Sequence, residues 1–276
     1  MTSIPSVLQR KQWLMIDQSV TGLSMNPMAS FAMDDTLCET AGRLEDTGIA
    51  RSWVHGRTIV LGIQDSRLPG IEEGVDFLHS QGYKVIVRNS GGLAVVLDRH
   101  VYNLSLLFPD SSALSIDEGY EAMVAFIRSL LPELEGKIED GEIETSYCPG
   151  RYDLSVAGRK FAGISQRRIR GGIAVQIYLA MEESGAARAE VIREFYRQAA
   201  SGGPVKYHYP DIVPETMASL SEILGKTMAC EEIQHRALLA LRENSGTLGT
   251  YELNEQEEER FLYHFKRMEK RNERLL

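Results

Sequence analysis

The sequence predicts an α+β fold, a mixed-sheet domain followed by a helical C-terminal segment. Three observations carry this. Between residues 52 and 180, short apolar runs rich in Val, Ile and Leu are separated by turns holding Gly, Pro or paired charges. Two helical patterns interrupt those strands rather than alternating with each of them, which disfavours a purely parallel α/β arrangement. After residue 184 the periodicity becomes helical and stays so.

Taken in order, residues 27–48 read as a helix, with Met28, Phe31, Ala32, Leu37 and Leu44 recurring near helical spacing. SWVHGRTIVLGI (52–63) reads as strand and GIEEGVDFLHSQG (70–82) as a short helix. KVIVRN (84–89), LAVVLD (93–98) and YNLSLLF (102–108) read as strands. Residues 116–131 read as a helix, with Ser115 or Asp117 as N-cap and Pro132 near its stop. IEDGEIETSY, YDLSV, FAGISQRRI and GIAVQIYLAM then supply four more strands, joined by CPGR, AGRK and RGG turns. Helices are expected over 186–200, 214–225, 227–243 and 253–275, with Pro214 in a first turn and Gly225 as a C-cap. The division expected is a mixed α+β domain of about 200 residues and a helical segment over 201–276, packed on it or forming a small lobe.

Composition narrows the function. Of 276 residues, 43% are apolar and 25% charged, ordinary values for a globular chain. Thirty basic against 39 acidic residues give a net charge of −9, which argues against broad nucleic-acid binding. No apolar run is long enough to span a bilayer, and MTSIPSVLQRKQWL lacks a signal pattern, so a cytoplasmic protein without membrane association is expected. Three widely spaced cysteines, Cys38, Cys148 and Cys230, without CxxC, argue against a disulfide framework and a structural zinc. No metal signature is present: Cys230 and His235 are five apart and do not share a helix face. GxGxxG and GxSxG are absent, and Gly225-Lys226-Thr227 is no P-loop because Leu220 stands where the first glycine is required.

Two segments carry chemistry. In RNSGGLAV (88–95) a strand ends and two glycines turn the backbone, either as a hairpin turn or as a place where a ligand lies against exposed amides. In SYCPGRYD, Pro149 and Gly150 place Cys148 at the end of an element. The run RKFAGISQRRIR follows, with Arg159, Lys160, Arg167, Arg168 and Arg170 and no acid. Positive charge beside a thiol favours the thiolate that nucleophilic catalysis needs; alternatively, the cysteine is inert and buried and the basic run is a solvated strand face. The arginines Arg159, Arg167, Arg168 and Arg170 read either as a patch for an acidic partner or as partners of the acidic strand Glu139, Asp140, Glu142 and Glu144. Cys38 and Cys230 read as packing residues.

WLMID, SFAMDDTLCE, VLGIQ, RNSGGLAVVLD and GRKFAGISQRR, in that order over about residues 12–200, resemble the superfamily of lipoate-protein ligases, octanoyltransferases and biotin ligases. The likeness implies a biotin/lipoate ligase-like catalytic domain. SYCPGRYDLSVAGRKFAGISQRRIRGGIAVQIY is most similar to the octanoyltransferases that draw on the glycine cleavage H protein, which carry a nucleophilic cysteine in the loop before the lysine motif. The resemblance implies Cys148 as nucleophile and Lys160 as the group that bonds the acyl carbonyl and lowers the thiol's pKa. It implies acyl binding by Arg88, Ser90, Gly91, Gly92 and Ala94, and by Gly163, Ile164 and Ser165, with Val60 and Val95 also against the chain. It further implies an octanoylated H protein as donor, lipoyl domains of dihydrolipoyl acyltransferases as acceptors, and no metal, ATP or other cofactor. Leu97 stands before Asp98 where ATP-dependent ligases carry histidine, which disfavours adenylate formation. The alternatives are an acyl carrier protein as donor, an ATP-dependent ligase, or a silent binding protein.

Overall fold

A computed structural model describes residues 5–110 and 114–273. The strands are β1 (Arg10–Gln18), β2 (Thr47–Val54), β3 (Thr58–Leu61), β4 (Lys84–Val87), β5 (Val95–Leu97), β6 (Val101–Pro109), β7 (Glu139–Asp140), β8 (Leu154–Val156), β9 (Arg159–Ile169), β10 (Gly172–Ala180) and β11 (Ser245–Thr250). The helices are α1 (Met28–Ala41), α2 (Ile71–Ser80), α3 (Ile116–Leu130), α4 (Gly185–Ala199), α5 (Leu220–Leu224), α6 (Cys230–Glu243) and α7 (Glu255–Asn272). Eight strands form one sheet in the order β11-β1-β2-β6-β10-β9-β8-β7, and a second sheet has the order β4-β3-β5. Both sheets mix directions: β1 lies parallel to β2 and β11, β3 parallel to β4, and the remaining neighbours are antiparallel.

The α+β class with mixed sheets is as the sequence predicts. β10 is buried along nearly its whole length rather than on one face. Its Ile173, Val175, Ile177 and Leu179 enter the core under α3 and α6, while Ala174 packs with Leu37, Cys38 and Ala41 of α1 on the opposite face. The small sheet is covered by α2 and α4 through Val75, Leu78, Ile192 and Phe195. Among the described residues no helix is long and apolar enough to cross a membrane.

Several boundaries differ from the sequence reading. The helix expected over 27–48 ends at Ala41, and Thr47 already begins β2. The strand expected over 52–63 is two strands in different sheets, divided by the turn at Gly56. Of IEDGEIETSY only Glu139–Asp140 is strand, because Gly141 turns the chain. The helix expected over 214–225 is broken into a 3-10 turn, Pro214–Thr216, and α5, because residues 217 and 218 run alongside β9, with the Ala218 N–H donating to the Lys160 carbonyl at 2.9 Å. Residues 274 and 275 of the last expected helix lie outside the described residues. β1 and β11 carried no strand signal: β11 is SGTLGT, held by its parallel register on β1. Local end signals do hold. Ser115 forms a reciprocal capping box with Glu118, and Gly225 ends α5 with φ +65°.

The C-terminal helices pack on the sheets. Ile233, Ala237 and Leu241 of α6 join the core beneath α3, α7 lies against α1, and the Asn272 side chain bonds both the N–H and the carbonyl of Val87.

Candidate active site

A cavity of about 340 Å³ lies between the two sheets, under the loop that carries Cys148. The small sheet contributes Val60, Val95 and Leu97; the large sheet contributes Trp53, Asn103, Gly163, Ile164, Ser165, Gln176, Ile177 and Tyr178. Phe31 of α1 and His55 add to the wall, while Arg88, Ser90, Gly91 and Gly92 bring the glycine turn to the same space as Cys148. The lining is mostly apolar, with polar groups at the thiol, as small-molecule sites commonly are.

Cys148 has φ +46°, in the left-handed region that L-residues with a Cβ avoid at a cost of about 1–2 kcal/mol. Strain of that kind persists where surrounding contacts hold it, and it concentrates at functional sites. Here the contacts come from Lys160. Its ammonium is fully buried and donates to the carbonyls of Tyr147 (3.0 Å) and Cys148 (2.9 Å) and to Ser146 Oγ (3.2 Å). It also pairs with Asp153 Oδ2 at 2.7 Å. Asp153 in turn accepts from the Gly150 N–H at 2.8 Å, so ammonium and carboxylate clamp the loop from 146 to 153 on both sides of the cysteine. Burial pushes the Asp153 carboxyl up to about 6 in spite of the lysine beside it.

The thiol itself meets two donors from the glycine turn. The Leu93 N–H donates to Cys148 Sγ at 3.2 Å, and Arg88 Nη2 approaches the sulfur at 3.4 Å while also donating to the Leu93 carbonyl. An amide N–H and a guanidinium are thus both aimed at the sulfur. Gly92 makes this approach possible. Its φ is +98°, and a Cβ there would sit 2.2 Å from Arg88 Nη2 and 3.3 Å from the sulfur.

Cys148 is half-buried, whereas Cys38 and Cys230 are buried. Burial raises the Cys38 thiol far above its ordinary value and pushes Cys230 up to about 12. Only Cys148 therefore combines access with stabilising donors.

Seven of the eight residues expected at the acyl site, Arg88, Ser90, Gly91, Gly92, Gly163, Ile164 and Ser165, line the cavity together with Cys148. Ala94 does not. Its side chain is fully buried, and its N–H donates to Tyr196 Oη at 3.3 Å. Lys160 touches backbone carbonyls and Asp153 rather than the sulfur, so its ammonium acts on the loop.

The basic run is not the charge at the thiol. Arg167 pairs with Asp35 of α1, and Arg168 with Asp110 at 2.8 Å and with the Leu114 and Ser115 carbonyls at 3.0 and 2.8 Å. Nor do these two arginines satisfy the acidic strand, where Asp140 pairs with Arg128. The sequence reading did not single out Asp153, although it lies inside SYCPGRYD, nor Trp53, His55, Asn103 and Tyr178, whose place in one wall depends on how the sheets stack.

The lipoyl protein ligase A/B catalytic domain model matches residues 26–242. The chain belongs to this family. Members at high identity over nearly full length include the octanoyl-[GcvH]:protein N-octanoyltransferases of Anoxybacillus flavithermus (51% identical, covering 98% of each chain) and Bacillus velezensis (53%, covering 98% of this chain and 95% of that one). That of Staphylococcus aureus is 45% identical, covering 96% and 94%. Membership makes the chain an enzyme of acyl transfer. Among solved structures, a lipoate-protein ligase A bound with ATP superposes with a TM-score of 0.70 at 17% identity, covering 93% of this chain and 94% of that one. The bipartite lipoate protein ligase of Thermoplasma acidophilum gives 0.68 at 18% identity, covering 94% and 92%. At such identities these two speak for the family's fold alone.

Proposed function

We propose that this chain is a cytoplasmic octanoyltransferase that takes the octanoyl group from a lysine of the glycine cleavage H protein and passes it to lipoyl domains of dihydrolipoyl acyltransferase subunits, holding it in between as a thioester on Cys148. The observation that carries the proposal is the Cys148 sulfur, reached by the Leu93 N–H and the Arg88 guanidinium at the wall of an apolar cavity. The names of the relatives supply the donor.

In the first step the thiolate attacks the octanoyl-lysine carbonyl, a C–S bond forms, the C–N bond breaks, and the donor lysine leaves as an amine after taking up a proton. In the second, an acceptor lysine amine attacks the thioester carbonyl, the C–N bond forms, the C–S bond breaks with sulfur departing as thiolate into the same two donors, and the nitrogen gives up one proton to solvent. Splitting the exchange in this way replaces one difficult amide-to-amide transfer by two nucleophilic steps. Burying the octanoyl tail at about 0.8 kcal/mol per methylene supplies several kcal/mol of binding. Lys160 and Asp153 contribute by holding Cys148 in its left-handed conformation.

The test is the intact mass of the chain after incubation with octanoylated H protein, with and without ATP. The proposal expects one added octanoyl group, independent of ATP, discharged when a lipoyl domain is added and absent in Cys148→Ala, whereas Cys38→Ser and Cys230→Ser retain it. A Cys148→Ala chain that transfers at the wild-type rate overturns the thioester. Charging only by octanoyl acyl carrier protein overturns the donor.

A further inference from the structure

Asp65 is fully buried next to the site, and the steps above do not use it. Its two carboxylate oxygens are divided between two partners. Oδ2 accepts from the Gly62 N–H at 2.8 Å, and Oδ1 accepts from Tyr196 Oη at 2.9 Å. The Tyr196 hydroxyl, 2% exposed on α4, accepts in turn from the Ala94 N–H at 3.3 Å. Ala94 follows Leu93, whose own N–H is the amide at the Cys148 sulfur. Two consecutive amides of one turn are thus fixed, one by Tyr196 and one on the thiol. The backbone at Gly62 closes the arrangement: a Cβ there would stand 1.9 Å from the Gly92 carbonyl oxygen, so the 62–65 segment lies directly against the glycine turn.

We propose that Asp65 and Tyr196 are positioning residues, which brace the Gly92–Ala94 turn so that the Leu93 N–H stays aimed at the Cys148 sulfur while charge moves on and off it. The inference rests on the reading of Cys148 as the acyl carrier. A packing role alone would be served by apolar groups. A carboxyl sealed from water is costly to ionise, and Asp65 is shifted up to about 6 by burial even though it accepts two hydrogen bonds. What the buried pair provides that an apolar pair cannot is an acceptor at a fixed point for the Ala94 amide, one residue from the amide that meets the thiol. Neither residue lines the cavity at Cys148, so both act through the turn.

The experiment uses the full chain carrying Tyr196→Phe, Asp65→Asn or Tyr209→Phe. Tyr209 stacks on Tyr196 at 4.9 Å between ring centroids, and its hydroxyl takes no part in the chain of bonds, so Tyr209→Phe is the packing control. Two quantities are read: the pH profile of Cys148 alkylation by iodoacetamide, located by peptide mass, and kcat and KM for transfer from octanoylated H protein. Tyr196→Phe is expected to slow Cys148 alkylation across the profile and to lower kcat, each about tenfold, with KM within about twofold of wild type. Asp65→Asn is expected to move both in the same direction, and carries the test if Tyr196→Phe does not fold. Tyr209→Phe is expected to match wild type. Wild-type profiles and kcat in both Tyr196→Phe and Asp65→Asn overturn the proposal, as does an equal shift in Tyr209→Phe. Because alkylation needs no acyl donor, a wild-type chain that alkylates at Cys148 but never accepts octanoate defeats the transfer reading and leaves the positioning result standing.

Discussion

Replacing Lys160 by methionine separates the electrostatic from the packing role of the buried lysine. The ammonium is fully buried, 2.7 Å from a carboxylate that is itself only 2% exposed, and it donates to two backbone carbonyls flanking the cysteine. Methionine keeps most of the stem, so little cavity is left. At pH 8 Asp153 is ionised in the wild type, since burial raises its carboxyl only to about 6. The variant must therefore bury a lone carboxylate or take up a proton on folding, and breaking a buried pair this way costs about 3–5 kcal/mol. The folded-state value lies above the ordinary 3.8, so stability from this group is fullest at low pH and is lost as pH rises through about 6. Without Lys160 that value climbs further and the loss steepens. At pH 5 Asp153 is protonated in both proteins, and the deficit shrinks to the missing hydrogen bonds, about 1–2 kcal/mol in all. Urea unfolding of both proteins at pH 5, 6, 7 and 8 measures this, and adding Asp153→Asn to Lys160→Met should restore most of the pH 8 loss. A deficit that does not change between pH 5 and 8, or one below about 1 kcal/mol at pH 8, refutes the buried-pair argument.

Arg88→Met removes the guanidinium at the sulfur and should slow both Cys148 alkylation at fixed pH and transfer by about tenfold. Gly163→Ala places a Cβ 2.6 Å from the Tyr178 ring, its cross-strand neighbour, and so crowds one wall of the cavity; steady-state transfer should show a raised KM for the octanoyl donor and a smaller effect with a butanoyl donor. Arg168→Glu sets a carboxylate against Asp110, just after β6, and removes the bonds to the Leu114 and Ser115 carbonyls before α3; it should lower stability by about 1–2 kcal/mol in urea unfolding, while the salt dependence of transfer stays that of wild type. Cys38 and Cys230 should remain unmodified when the native chain is treated with iodoacetamide at pH 8, and react on addition of urea, because burial holds both thiols far from ionisation.

The parts of this protein that the sequence by itself determined are those governed by neighbours in the chain. The β-branched runs of β4 to β6, the Ser115 capping box, the left-handed Gly225 and the strand–turn–strand around Gly91-Gly92 follow from steric preference and short-range hydrogen bonding. The closeness of Cys148 and Lys160 was legible too, because a proline-glycine turn and a nearby strand place them within one local unit. What they do to one another was not. An ammonium twelve residues from a thiol can point at sulfur or at backbone, and the burial of Asp153 decides for backbone. The donor charge at the thiol comes from Arg88, 60 residues away, while the nearer arginines are spent on Asp35 and Asp110. β11 reads as a polar turn and becomes a strand only because β1 offers unpaired backbone beside it. The cavity belongs to neither sheet alone, since its walls come from β3 and β5 facing β9 and β10. These features are set by how two sheets stack and by which polar groups find partners once water is excluded, and that is fixed by long-range packing rather than by any local pattern.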